Sequence, residues 1–355
     1  MTLKTAIIGL GRMGAEPTSR LAGLLPIGWD PISHAESIKS INDLELTALC
    51  DVDLKKTERF SAMYNVPKIY TDYKVLINEV KPDIISIATR TNVKSEIINY
   101  AIDNGVKGVY VEKPLGRSIT ECEQILNKIN NANAKIAYGA QRRAMPIYQE
   151  VKNICNSGEY GIVKHIIIEF GKSRLFWTHP HSTDLIVFFS NSTDVDYISA
   201  ICAFDDNYSK DSLIIDEDPL VECAFIKFKN GVSANITQNE GSNIRIQLTN
   251  AIITINGDGY SIDINTEGEN KGCFHKLERR YPKSNKSGTQ IMFADLAAAV
   301  LNSANVESVS PEEILCGSRI LSGIVESALK NGEKVNFKDI RNDLIITGRL
   351  GNLYA

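Results

Sequence analysis

Through the first 141 residues, short β-branched runs alternate with segments of helical periodicity, and this alternation restricts the possible folds more than any other feature. LKTAIIG, LELTALC, DIISIAT, VKGVYV and KIAYGA read as strands, with YKVLINEV and SEIINYAIDNG among the helices between them. Strands separated by helices pair in parallel, and right-handed crossovers then cover both faces of the sheet. The pattern predicts an α/β fold that opens with a doubly wound parallel sheet of the Rossmann type over residues 1–141. After Arg142 a helix, PIYQEVKNICNSGEYG, leads into period-two runs: VKHIIIEF, VECAFIKF, VSANITQ, IRIQL and AIITING. Lys229, Asn230 and Gly231 suit a tight hairpin between two of these runs, with positive φ at Asn-Gly. Two helical segments close the chain, FADLAAAVLNSA and PEEILCGSRILSGIVESALKNG, the second opening on Ser310, Pro311 and Glu313 in capping order. Residues 142–355 thus read as an α+β substrate-binding and oligomerisation domain with an open, mainly antiparallel sheet. At 355 residues the chain exceeds the ~250–300 at which one core stops growing, which favours two domains and a cleft.

Charge and cysteine usage narrow the partners. With 39 basic and 43 acidic residues, a net charge of -4 and no basic block, the chain offers little to nucleic acid or an anionic membrane. The seven cysteines are odd in number and never C-x-x-C, which fits reduced thiols rather than a disulfide frame or a zinc site. No signal-peptide pattern opens the sequence, and no apolar run approaches ~18 residues, so a cytoplasmic protein acting on a small molecule is expected.

Gly9-Leu10-Gly11-Arg12-Met13-Gly14 follows the first strand directly. The glycines suit a tight turn, a close approach to pyrophosphate and helix-on-strand packing, with Arg12 and Met13 on the same loop. The second strand ends at Asp51, placed to accept hydrogen bonds from an adenosine ribose and to repel a 2′-phosphate; Val52 rather than an arginine follows, so NAD is expected over NADP. The spacing is abnormal: 37 residues separate Gly14 from Asp51 where about 20 is usual. Pro17, Pro26, Gly28 and Pro31 cannot belong to one helix, so a loop insertion is placed between Leu24 and Ser33, where Trp29 and His34 either cover the cleft or simply pack the loop. The fifth strand runs into Glu112-Lys113-Pro114, a cation at the carboxyl edge where ligands bind in such sheets.

Residues 9–14, Asp51, Glu112-Lys113-Pro114, and AQRRAMPIYQ with Arg143 three before Pro146, in this order, resemble the glucose-fructose oxidoreductase, inositol dehydrogenase and MocA (Gfo/Idh/MocA) family over nearly the whole chain. The resemblance implies a nicotinamide-dependent dehydrogenase in which Lys113 stands beside the nicotinamide and the substrate hydroxyl, with Thr89 and Glu112 on the cofactor side. It also implies that His181 is the general base, with Arg143, Trp177, His179 and Asp184 as substrate contacts in FWTHPHSTDLIVFF. Trp177 stands where the family has an aspartate, and His179 where it often has glycine. No third ligand joins the two histidines, so no metal is expected. Arg90 and Lys94 depart from the family's proline and histidine; with Arg12, Arg142 and Arg143 they suggest a charged cleft and an acidic or nucleotide-linked sugar as alternative to a neutral polyol. A dinucleotide-binding sensor without catalysis, and a redox-neutral NAD-assisted sugar enzyme, are the rival readings. A homodimer or homotetramer through the open sheet face is expected.

Overall fold

The computed structural model describes residues 2–302 and 308–348. Six parallel strands, β1 (Leu3–Ile8), β2 (Leu44–Cys50), β3 (Lys68–Tyr70), β4 (Ile84–Ile87), β5 (Gly108–Val111) and β6 (Lys135–Tyr138), form one sheet in the order β3-β2-β1-β4-β5-β6. Helices α1 (His34–Lys39), α2 (Leu54–Tyr64), α3 (Tyr73–Val80), α4 (Thr91–Asp103) and α5 (Ile119–Asn131) lie between successive strands. The order reverses between β1 and β4, so the carboxyl ends of those strands open a crevice at the switch point, where this class of sheet takes its ligands. Asp53, Asp72 and Ser118 cap α2, α3 and α5 by accepting a backbone N–H from the first helical turn, the local signal that stops each preceding loop.

The long spacing before Asp51 has a specific cause. Residues 11–16 make one helical turn, with Ala15 N–H on Gly11 O, before the chain leaves for an excursion over 17–33. On its return His34 N–H donates to Met13 O at 2.8 Å and Ala35 N–H to Gly14 O at 3.0 Å, so α1 continues the turn that the glycine loop began. The helix is spliced around an insertion that starts earlier than the expected Leu24. Glu36 closes the excursion at its base, accepting from Thr18 N–H at 2.9 Å and Ser33 Oγ at 2.7 Å. Trp29 anchors its far side, donating from Nε1 to Asp258 O at 3.0 Å under the Arg142 guanidinium. His34 lies in the core instead of covering the cleft.

Beyond β6 come α6 (Pro146–Ser157), β7 (Val163–Glu169), β8 (Ser173–Arg174), α7 (Leu175–Ser190), β9 (Val195–Ala203), β10 (Ile214–Ile215), β11 (Leu220–Phe228), β12 (Ser233–Ile236), β13 (Asn243–Leu248), β14 (Ala251–Asn256), β15 (Ser261–Glu267), β16 (Phe274–Arg280), α8 (Gly288–Asn302), α9 (Pro311–Leu329), β17 (Val335–Asn336) and β18 (Ile345–Ile346). Nine of these strands run β16-β15-β14-β13-β7-β12-β11-β9-β17, with β8 joined to β11. All neighbours are antiparallel except β7 and β12, while β10 and β18 form a separate parallel pair. Helices α7 and α9 cover one face; alternate residues such as Ile167, Phe225, Arg245 and Ile252 point the other way and stay partly exposed.

Two local expectations change. In the β11–β12 turn only Gly231 takes a positive φ, because the loop spans 229–232 rather than a two-residue hairpin. The segment expected as a helix ending at Ala304 is described to Asn302, its last two residues lying outside the described residues; as α8 it packs back on the first sheet, with Phe293 stacked on Tyr110 at 4.2 Å. The first core therefore takes in residues of α8 together with residues from 3–144.

Candidate active site

The glycine loop has the shape a dinucleotide needs. Gly9, at φ +93°, passes so close to Ala88 and Thr89 that a Cβ would meet the backbone there at 2.8 Å, and a Cβ on Gly14 would overlap Gly9 O. A Cβ on Gly11 would meet nothing within 4 Å, which leaves that flank of the loop open to a phosphate pair. Asp51 accepts from Leu10 N–H at 2.7 Å and from Asp53 N–H at 3.0 Å, so the carboxylate is fixed beside the loop with lone pairs remaining for a ribose diol. Val52, the next residue, is 91% exposed. Arg12 is exposed, Met13 packs against the second domain, and half-buried Thr89 donates to Arg90 O at 3.2 Å where β4 ends.

Glu112 turns into the core rather than toward the crevice, contrary to the expected cofactor contact. Its carboxylate meets His34 Nε2 at 3.0 Å, His34 Nδ1 pairs with Ser86 Oγ at 2.6 Å, and Gly139 makes the room, since a Cβ there would strike the carboxylate. Burial raises the Glu112 carboxyl, but His34, Lys113 and Lys94 outweigh it and hold the group below its usual range. Lys113 points the opposite way. Its ammonium donates to the Trp177 carbonyl, lies 5.3 Å from the centre of that indole, and is brought down to about 8 chiefly by burial. Arg12 meets the same indole at 5.7 Å, so Trp177 sits between the glycine loop and the lysine.

Helix α7 carries the remaining candidates. It begins at Leu175, which puts Pro180 inside the helix rather than in its first turn, so the Phe176 carbonyl lacks its helical donor. The Phe176 N–H is held by the buried Asp218 carboxylate at 2.7 Å, and Asp218 also favours the charge on Lys113; no local pattern marks this acid, which precedes β11. His181 Nδ1 has no hydrogen-bond partner, and burial, then Arg142 and Lys113, push the imidazole well below its ordinary range. His179 is fully buried, paired through Nδ1 with Ser182 Oγ at 3.1 Å and lowered to about 4 by burial.

Arg143 and Asp184, expected to hold substrate, instead hold each other. The guanidinium is 2% exposed, meets Asp184 at 2.8 Å and Glu313 at 2.9 Å, and lies over the Phe188 ring. Asp184, which burial raises to about 6 against the pull of Arg143, is thereby turned to Arg143 rather than His181. Arg142 forms a two-pronged pair with Asp258 at 2.7 Å on each arm, and Tyr148 donates to the same carboxylate. Lys94 is buried. Much of the positive charge inferred for the cleft is thus neutralised or enclosed within the protein.

Residues 3–140 match the sequence model of the GFO_IDH_MocA oxidoreductase family, described as having an NAD-binding Rossmann fold. Over these residues, its Rossmann portion, the chain is similar to that family. Its curated relatives include inositol 2-dehydrogenase of Salmonella typhimurium, 28% identical over 163 residues, which are 45% of this chain and 44% of the relative. Another is trans-1,2-dihydrobenzene-1,2-diol dehydrogenase of Xenopus laevis, 27% identical over 36% of this chain and 39% of that protein. The chain therefore matches less than half the length of these relatives. Two solved structures extend the likeness of fold beyond the Gfo/Idh/MocA match: an NAD binding oxidoreductase from Klebsiella pneumoniae (TM-score 0.75, 16% identity, 95% of this chain and 99% of that one) and an Agrobacterium radiobacter oxidoreductase in complex with NAD+, L-tartaric acid and magnesium (TM-score 0.73, 17%, 95% and 99%). At these identities they speak for the fold alone. No group of three or more metal-ligating side chains occurs among the described residues, and no described helix is long and apolar enough to cross a membrane.

Proposed function

We propose that the protein is an NAD-dependent dehydrogenase acting on a secondary hydroxyl of a cyclic polyol or sugar. The observation that carries this is the meeting of Lys113 with the first turns of α7: an ammonium from the carboxyl end of β5 reaches the Trp177 carbonyl, and His181 follows one turn later with a spare ring nitrogen. The open flank at Gly11 and the Asp51 carboxylate suit the pyrophosphate and the adenosine ribose, and the exposed Val52, with no cation beside it in sequence, favours NAD over NADP. Bound there, NAD supplies the hydride acceptor. Lys113 stabilises the negative charge that grows on the hydroxyl oxygen, and neutral His181 takes the hydroxyl proton. The internal pairing of Arg142 and Arg143 favours a neutral polyol over an acidic or nucleotide-linked sugar, in keeping with the names of the inositol and dihydrodiol relatives. The presence of both Lys113 and His181 in the chain speaks against a sensor role. We also propose a cytoplasmic homodimer or homotetramer associating through the open face of the second sheet.

Gly11→Val tests the cofactor placement. An added Cβ meets no protein atom within 4 Å, so the variant is expected to melt within a few degrees of wild type while losing NADH binding, read by quenching of tryptophan fluorescence. Full retention of NADH affinity would place the dinucleotide elsewhere.

The pH profile tests the acid and base roles. Oxidation needs His181 neutral, and its imidazole is already neutral well below 6.5, so no acidic limb is expected at the ordinary imidazole value. It needs Lys113 protonated, and that proton is lost as pH rises through about 8. A kcat that is flat through neutrality and falls above about 8 is the expected result. A limb near 6.5 assigned to His181 would contradict it.

A further inference from the structure

Lys94 is a buried cation in an unfavourable place. It lies in the first turns of α4, where the helix dipole opposes positive charge, and it is 1% exposed. No carboxylate lies within ion-pair distance of its ammonium among the described residues. The ammonium instead donates to two backbone carbonyls, Glu112 O and, at 2.6 Å, Pro114 O. These are the carbonyls immediately before and one after Lys113. On the far side of the same segment, the Glu112 side chain is pinned by His34, which the spliced helix delivers to the core. Leu115, the next residue along, is fully buried.

Resting on the dehydrogenase reading above, we propose that Lys94 is a positioning residue that clamps the backbone at Glu112 and Pro114, the residues on either side of Lys113, so that the side chain of Lys113 is left to meet substrate. Taking an ammonium out of water costs several kcal/mol unless donors and acceptors are matched. Two carbonyl dipoles converging on one group offset part of that cost, burial still bringing the Lys94 ammonium down to about 7, and they fix the backbone from which the Lys113 ammonium is aimed. A backbone shift of about 1 Å at such a point costs roughly 10²-fold in rate, whereas the dinucleotide contacts at Gly11 and Asp51, on other loops, are untouched.

Lys94→Met fills the same space without donors, and Lys94→Gln restores an amide donor. For Lys94→Met we expect unchanged NADH affinity, a kcat at least about tenfold lower with KM nearly constant, and faster amide hydrogen exchange confined to the Glu112–Gly116 segment. Lys94→Gln is expected to recover part of both losses, and it decides the question should the methionine variant fail to fold. Wild-type kcat and exchange in both variants would overturn the clamp, as would exchange that rises equally across the whole first sheet. If wild type oxidises no polyol, the dehydrogenase reading fails, while the exchange measurement still judges the clamp.

Discussion

Replacing Lys113 with alanine is expected to lower kcat by about 10²- to 10³-fold while NADH affinity stays within a few-fold of wild type. The size follows from removing one preorganised donor from the place where oxygen takes on negative charge. Its selectivity follows from the geometry: the Lys113 ammonium touches Trp177 and lies close to Asp218, Arg12 and Arg142, but not the glycine loop backbone or Asp51. Lys113→Arg keeps the charge but not the shape, since a planar fork does not fit where a compact ammonium donates to one carbonyl. It should therefore recover little. An alanine variant with wild-type turnover would remove Lys113 from the mechanism; one that loses NADH binding together with activity would make it a cofactor residue.

Arg143→Ala is expected to lower stability by about 3–5 kcal/mol, because it strands the Asp184 carboxylate in the interior. The guanidinium is 2% exposed and joins α7 to Glu313 at the first turn of α9, so its loss unties two helices at once. Removing both partners as Arg143→Met with Asp184→Leu should cost much less than the two single changes added together, because no unpaired charge then remains between them. Denaturant unfolding followed by circular dichroism measures this cycle. A raised KM with unchanged stability would return Arg143 and Asp184 to substrate binding.

The elements that carry their own period or cap were legible in the sequence. Five of the six parallel strands and the α9 start at Ser310-Pro311, with Glu313 closing the capping box, lie where the runs and capping residues put them. The positions of the glycine loop, Asp51 and Lys113 at the carboxyl ends of β1, β2 and β5 were also legible. What was not legible depends on contacts distant in sequence. The prolines of the 17–33 excursion mark a loop, but nothing local shows that His34 N–H returns to Met13 O and resumes the helix. Arg142 and Arg143 read as cleft cations because their partners, Asp258 and Glu313, stand 116 and 170 positions away. Glu112 and Lys113 are adjacent in sequence, yet an extended chain turns neighbouring side chains to opposite sides, so one meets His34 in the core and the other reaches the Trp177 carbonyl.

The most direct test uses a cyclic polyol carrying deuterium on its carbinol carbon, incubated with NAD and the wild-type protein, with the nicotinamide product analysed by mass spectrometry. The account predicts deuterium in the reduced dinucleotide for wild type and a rate of transfer at least about 10²-fold lower for Lys113→Ala. A protein that binds NADH yet transfers no deuterium from any such polyol, or a Lys113→Ala variant that transfers it as fast as wild type, would contradict it.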